Sequence, residues 1–210
     1  MPAEATATQR VLWERPNAVQ MHVVLEEIKP PVWRRLVAPL GTTLAELHYI
    51  LQAAMGWTNS HLHHFEVGGL TYGDDYLLCA GSSEDDARVF DASEVRLRDF
   101  SREPGTAFTY IYDYGDNWRH TVTLEKLLSV KPAPKTATCI EGARCCPPED
   151  VGGPPGYFEF LRILLSPEPD EIEEQRHLKR WSGGKFDPER FDAGKVSKAL
   201  RTASRKVRRA

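Results

Sequence analysis

No run of apolar residues in the sequence approaches the roughly 20 that cross a bilayer. The first sixteen residues, MPAEATATQRVLWERP, hold no apolar core of the kind a secretory leader needs. Together these absences predict a cytoplasmic protein that neither enters nor crosses a membrane. Cysteine is scarce, with four in all, Cys79, Cys139, Cys145 and Cys146. In a reducing compartment these are expected as thiols or metal ligands rather than disulfides. Catalytic signatures are missing too: there is no phosphate loop, no G-x-S-x-G, no H-E-x-x-H and no C-x-x-C. A serine recombinase would need a nucleophilic serine just after an N-terminal strand, and the segment Val23–Glu27 (VVLEE) is followed by none. No segment repeats.

What is present begins with charge. The net charge of −3 divides into +7 after Asp192 and −10 before it. Lys195, Lys198, Arg201, Arg205, Lys206, Arg208 and Arg209 thus make a basic arm on an acidic body. Such an arm reads as a helix whose cations complement its own dipole, as an electrostatic foot for nucleic-acid phosphates, or as a segment docked on the acidic body.

Hydrophobic patterning predicts an α+β fold, a single-domain α/β roll with a curved, mostly antiparallel sheet, one helix after the first hairpin and C-terminal helices. Residues 1–17 read as a disordered leader, 18–192 as the domain and 193–210 as a basic C-terminal helix or tail. Val19–Ile28 reads as a strand, Pro30-Pro31 as its stop and Val32–Ala38 as its return partner. Thr42 or Thr43 caps a helix from Leu44 that Gly56 ends, with Leu44, Leu47, Leu51, Ala54 and Met55 as its core stripe. His61, His63 and Phe65 share one strand face, and Gly68-Gly69 turns the chain back through Leu70–Tyr72. Residues 73 to about 92 read as a mobile acidic loop, and Glu94–Phe100 as a short strand or one helical turn. Val130–Gly156 reads as loop, Tyr157–Leu165 as an apolar helix and Asp170–Arg180 as a polar one. Asp187-Pro188 reads as the start of another helix, and Asp192 as the cap of the last.

The central stretch is Phe108–Leu128, FTYIYDYGDNWRHTVTLEKLL, a β-hairpin by its alternation. Gly115 sits where the turn is expected to need positive φ, and Asp113, Asp116 and Asn117 are residues that bond back to turn backbone. Trp118 and His120 share a face, so the tip is expected to present two carboxylates, an indole and an imidazole.

These residues carry a resemblance. HLHHF at 61–65, YDYGDNW-x-H at 112–120, Glu125, CIEGARCCPPEDVGG at 139–153, Gly156-Tyr157 and FDPERFD at 186–192 resemble the plasmid pRiA4b ORF-3-like family, over nearly all of Val19–Leu200. The resemblance implies an α+β roll with a curved sheet, of unknown activity, carried on plasmids, transposons and chromosomes of bacteria and archaea. Some relatives bear a transposon-resolvase label, and one type is fused to a repressor DNA-binding domain. Family members tend to have three cysteines in the loop. Cys139 and Cys146 match two, Val151 stands at the third, and Cys145 is extra.

Three functions remain open. The first is a non-catalytic binding module of mobile-element type, with a protein or nucleic-acid partner held by the aromatic and acidic hairpin face and the basic arm. The second is a metal-dependent hydrolase or nuclease-like enzyme, with a divalent cation in a pocket of His61, His63, Asp113, Asp116, Trp118, His120, Glu149 and Asp150. A zinc site of Cys139, Cys146 and His120 is a separate metal reading, with soft donors. The third is a structural domain in which every motif serves folding. All of the pocket readings require the histidine strand, the hairpin tip and the Pro-Pro-Glu-Asp connector to meet on one side of the sheet.

Overall fold

The computed structural model describes residues 15–73, 88–101 and 103–207. The leader up to residue 14, residues 74–87 of the expected acidic loop with Cys79, the side chains of Arg205 and Lys206, and Arg208 and Arg209 lie outside the described residues.

Strand alternation builds the sheet. The strands are β1 (Ala18–Leu25), β2 (Trp33–Pro39), β3 (His63–Val67), β4 (Leu70–Gly73), β5 (Val89–Asp91), β6 (Ala107–Tyr112), β7 (Trp118–Leu128) and β8 (Thr138–Ala143). They form one open sheet in the order β5-β4-β3-β6-β7-β1-β2-β8. Every pairing is antiparallel except β4 with β5. In β1, β2 and β3, and over residues 118–124 of β7, every second residue is buried, the period-2 signature of a sheet with one covered face. Two bulges, with Glu125 extra on β7 and Ile140 extra on β8, interrupt the ladders beside β1 and β2 and increase the local twist.

Helix α1 (Leu44–Met55) supplies the cover. Thr43 and Glu46 exchange side-chain and backbone hydrogen bonds as a capping box, and Gly56 closes the helix at φ 92°. Leu44, Leu47, Leu51 and Ala54 join Met21, Val23, Leu36, Phe65, Tyr110 and Val122 in the core. The chain continues through the single turn α2 (Leu97–Phe100), then α3 (Gly153–Leu165), a 3-10 turn (Pro169–Glu171), α4 (Ile172–Trp181) and α5 (Ala193–Val207). Asp192 Oδ1 accepts from Lys195 N at 3.0 Å and caps α5, which packs on α1 and β8 and buries Leu200.

Five local expectations change. The expected acidic loop over 73 to about 92 contains β5, whose Val89–Asp91 pair with residues 71–73 of β4. The segment expected to be loop between Val130 and Gly156 contains β8, whose short run lacks a period longer than a few residues. Helix α3 starts at Gly153, not Tyr157, because Pro154-Pro155 occupy the first turn, where an amide N–H has no partner to lose. Asp187-Pro188 makes a turn with Glu189 and Arg190 but no helix. In the hairpin the positive φ values fall on Asp113 (60°) and Asn117 (52°) rather than on Gly115.

Candidate functional site

The three segments that the sequence singled out do meet. Asp113 N donates to Leu62 O at 2.9 Å, tying the hairpin tip to the approach of β3. The Asp113 side chain then shapes the tip, its Oδ1 accepting from Gly115 N at 2.9 Å and Asp116 N at 3.3 Å. Asp116 Oδ2 accepts from Gly152 N at 3.1 Å, which brings in the connector. A Cβ on Gly153 would lie 2.5 Å from Asp116 O, so only glycine permits this approach. Glu149 completes the clasp by accepting from the Tyr112 hydroxyl, from Thr58 N at 3.0 Å and from the Thr58 hydroxyl. The Trp57 indole donates to Pro147 O at 2.9 Å.

Above this clasp, His61 Nε2 stands 3.0 Å from Asp150 Oδ1 and 3.6 Å from Asp113 Oδ2. The short contact is not a hydrogen bond: Nε2 is buried and has no partner within bonding geometry. Donor atoms of His61, Asp113 and Asp150 all lie within 4.8 Å of one another. Among the described residues this is the one group of three or more ligand-type side chains that converges so. A pocket of about 610 Å³, bordered by Asn59, Ser60, His61 and Tyr49, opens beside it.

Of the remaining members of the expected pocket, His63 borders the same space as His61, and the others turn elsewhere. Trp118 is buried against Trp57, and His120 is fully buried with its ring edge-on to Trp57. Neither is presented at the tip, because the face they share is the one α1 covers. Burial pushes the His120 imidazole down to about 4. His63 stacks on His48 of α1, ring centroids 3.5 Å apart, and burial, with His64 nearby, lowers it to about 4 as well. His48 and Gln52 both reach the Tyr110 hydroxyl, at 2.7 and 3.1 Å, and the phenol is held well above its ordinary pKa by burial. Asp116 and Glu149 are engaged in the clasp.

Cys139, Cys145 and Cys146 are free thiols, and Cys139, Cys146 and His120 do not converge as a ligand set. The cysteines instead neighbour Arg34, a residue the sequence reading passed over. Burial raises the thiols' pKa, and the Arg34 charge opposes that rise. Its guanidinium is anchored to Ala54 O, Trp33 O and Ala143 O at 2.8–3.0 Å. The signal was legible: Arg34 and Arg35 are adjacent on a strand, so one of them had to face inward.

On the other side of α1 runs a groove of about 880 Å³. Tyr49, Gln52, Ala53 and Trp57 form one wall and Lys195, Lys198 and Thr202 of α5 the other. Lys195, Lys198 and Arg201 are exposed along one stripe of α5. Tyr49 was also missed, although an aromatic outside the apolar stripe of α1 is a visible signal.

An open, mostly antiparallel sheet covered on one face by helices, with a Tyr-Asp-x-Gly-Asp-x-Trp tip clasped to a Pro-Pro-Glu-Asp connector, defines an α+β class. A sequence profile described as plasmid pRiA4b ORF-3-like protein matches residues 17–195, and the chain belongs to that family. It is 35% identical over 190 residues to the uncharacterized protein y4hQ of Sinorhizobium fredii (strain NBRC 101917 / NGR234), covering 88% of this chain and 91% of the relative. A crystal structure of the protein of unknown function MM3350 from Methanosarcina mazei Go1 has a similar fold. Its TM-score is 0.73 and its identity 32%, over 87% of this chain and 98% of that one.

Proposed function

We propose that the chain is a non-catalytic binding module, an accessory protein of mobile-element type, that holds a nucleic-acid backbone along α5. The carrying observation is the groove in which Lys195 and Lys198 face Tyr49 and Trp57. Cations track phosphates and give salt-dependent affinity, while an exposed aromatic offers a stacking surface to an unpaired base. The plasmid in the family's name supports the accessory setting. An acidic protein partner is the alternative occupant of the groove.

Competing with this is a metal-dependent hydrolase, favoured by the convergence of His61, Asp113 and Asp150. Of two imidazoles that reading counted on, His120 is fully buried among aromatic rings and His63, though it borders the pocket beside His61, is, like His120, lowered by burial to about 4 and so only weakly basic near pH 7. That weakens the supply of a general base.

The test is fluorescence anisotropy with labelled single- and double-stranded DNA across a salt series. Lys195→Gln, Lys198→Gln and Arg201→Gln are combined in one protein, all at exposed positions so that folding is kept. Weaker binding is expected, with a salt slope reduced by roughly 0.7–0.9 for each cation that contacts phosphate. Equal binding by both proteins overturns the proposal, and binding of an acidic polypeptide but no DNA moves the site to a protein partner.

A further inference from the structure

The basic groove leaves unused the cluster at the hairpin tip. We propose that His61, Asp113 and Asp150 bind one divalent transition-metal ion of the Mn2+ or Zn2+ class, through His61 Nε2, Asp113 Oδ2 and Asp150 Oδ1. This goes beyond the nucleic-acid reading and does not depend on it.

The Asp113 side chain is only 9% exposed. Its Oδ1 takes the Gly115 and Asp116 amides, whereas its Oδ2 faces His61 Nε2 at 3.6 Å. Nε2 in turn is buried and makes no hydrogen bond, although Asp150 Oδ1 is 3.0 Å away. A buried ring nitrogen left without a hydrogen-bond partner is costly to fold. A cation held between it and the two carboxylates satisfies it.

The spacing fits. With metal–ligand bonds near 2.1 Å, neighbouring donors on a tetrahedral or octahedral ion stand roughly 3.0–3.4 Å apart, close to the 3.0 and 3.6 Å from His61 to each carboxylate, and the two carboxylates lie within 4.8 Å of each other. One imidazole with two carboxylates suits Mn2+ or Zn2+ better than Ca2+, whose ligands are oxygens.

The donors are also held in place before any ion arrives. Asp113 is fixed by the turn it shapes, and Asp150 sits on the connector between Glu149 and Gly152, both engaged in the clasp. The Asp150 side chain is 68% exposed, so the outer side of the ion is left to water or an anionic ligand entering from the adjoining pocket.

The test is a Mn2+ titration of the EDTA-treated full chain, followed by the electron paramagnetic resonance signal of free Mn2+. Mn2+ is chosen because thiols compete for it poorly. Asp113→Asn and Asp150→Asn remove charge while keeping a residue that tolerates positive φ and caps the turn, and His61→Gln removes the imidazole. Circular dichroism melts confirm that each variant folds. One Mn2+ per wild-type chain is expected, with each variant weaker by about tenfold or more. No Mn2+ binding by the wild type, or variants that bind as it does, overturns the proposal. The α5 triple variant should bind Mn2+ normally, so failure of one site is readable apart from failure of the other.

Discussion

His120 has no exposed surface, and its Nε2 has no hydrogen-bond partner, so a proton on this ring would be a charge among Trp57, Tyr110 and Trp118. Its folded pKa of about 4, like that of His63, lies below the unfolded value of about 6.5 because burial disfavours the cation. Well above pH 6.5 both rings are neutral in both states and add no pH dependence to stability. As the pH falls from about 6.5 to 4 the unfolded chain takes up protons that the folded one refuses. Each histidine then costs about 1.4 kcal/mol of stability per pH unit. Urea midpoints measured across that window should decline accordingly, and His120→Asn should remove one histidine's share of the slope. That Trp118 and His120 share a face was legible in the period of 2. Which face is covered was not, since it depends on where α1 lands. The meeting of His61, Asp113 and Asp150 has no local signature at all, as the three are separated by long stretches of chain.

At the scale of the element, legibility follows how local the determinants are. Helix α1 announces both ends, through Thr43 and Gly56, and its stripe needs no distant partner to be recognised. Thr43→Ala removes the acceptor for Glu46 N and should lower stability by about 1 kcal/mol, read from the urea midpoint of the full chain. The central hairpin was equally plain from its alternation. Strand β8 was not: its backbone order comes from β2 and its outer edge from α5, so little in Thr138–Ala143 itself marks it as a strand. The start of α3 was masked by Gly-Gly-Pro-Pro, which reads as loop unless the helix that follows fixes the prolines in its first turn.

For the whole molecule the unevenness of charge is clear in the sequence, but the role of its basic end is not. Leu200 is 1% exposed, and α5 lies across α1 and β8. Removing everything after Asp192 therefore strips a buried leucine and uncovers part of the core. Such a chain should melt at lower temperature than the full protein, losing more than the roughly 2–5 kcal/mol that deleting a buried leucine side chain alone produces. Loss of DNA binding in it would not isolate the cations, whereas exposed-site substitutions do. The same helix has a second consequence, through Ser197. Its hydroxyl accepts from Cys139 N and donates to Cys139 O, both at 3.1 Å. Those two groups point away from β2, where a ninth strand would dock. One serine thus stops the sheet from templating onto another copy along this margin, which helps to keep the folded chains from aggregating edge to edge.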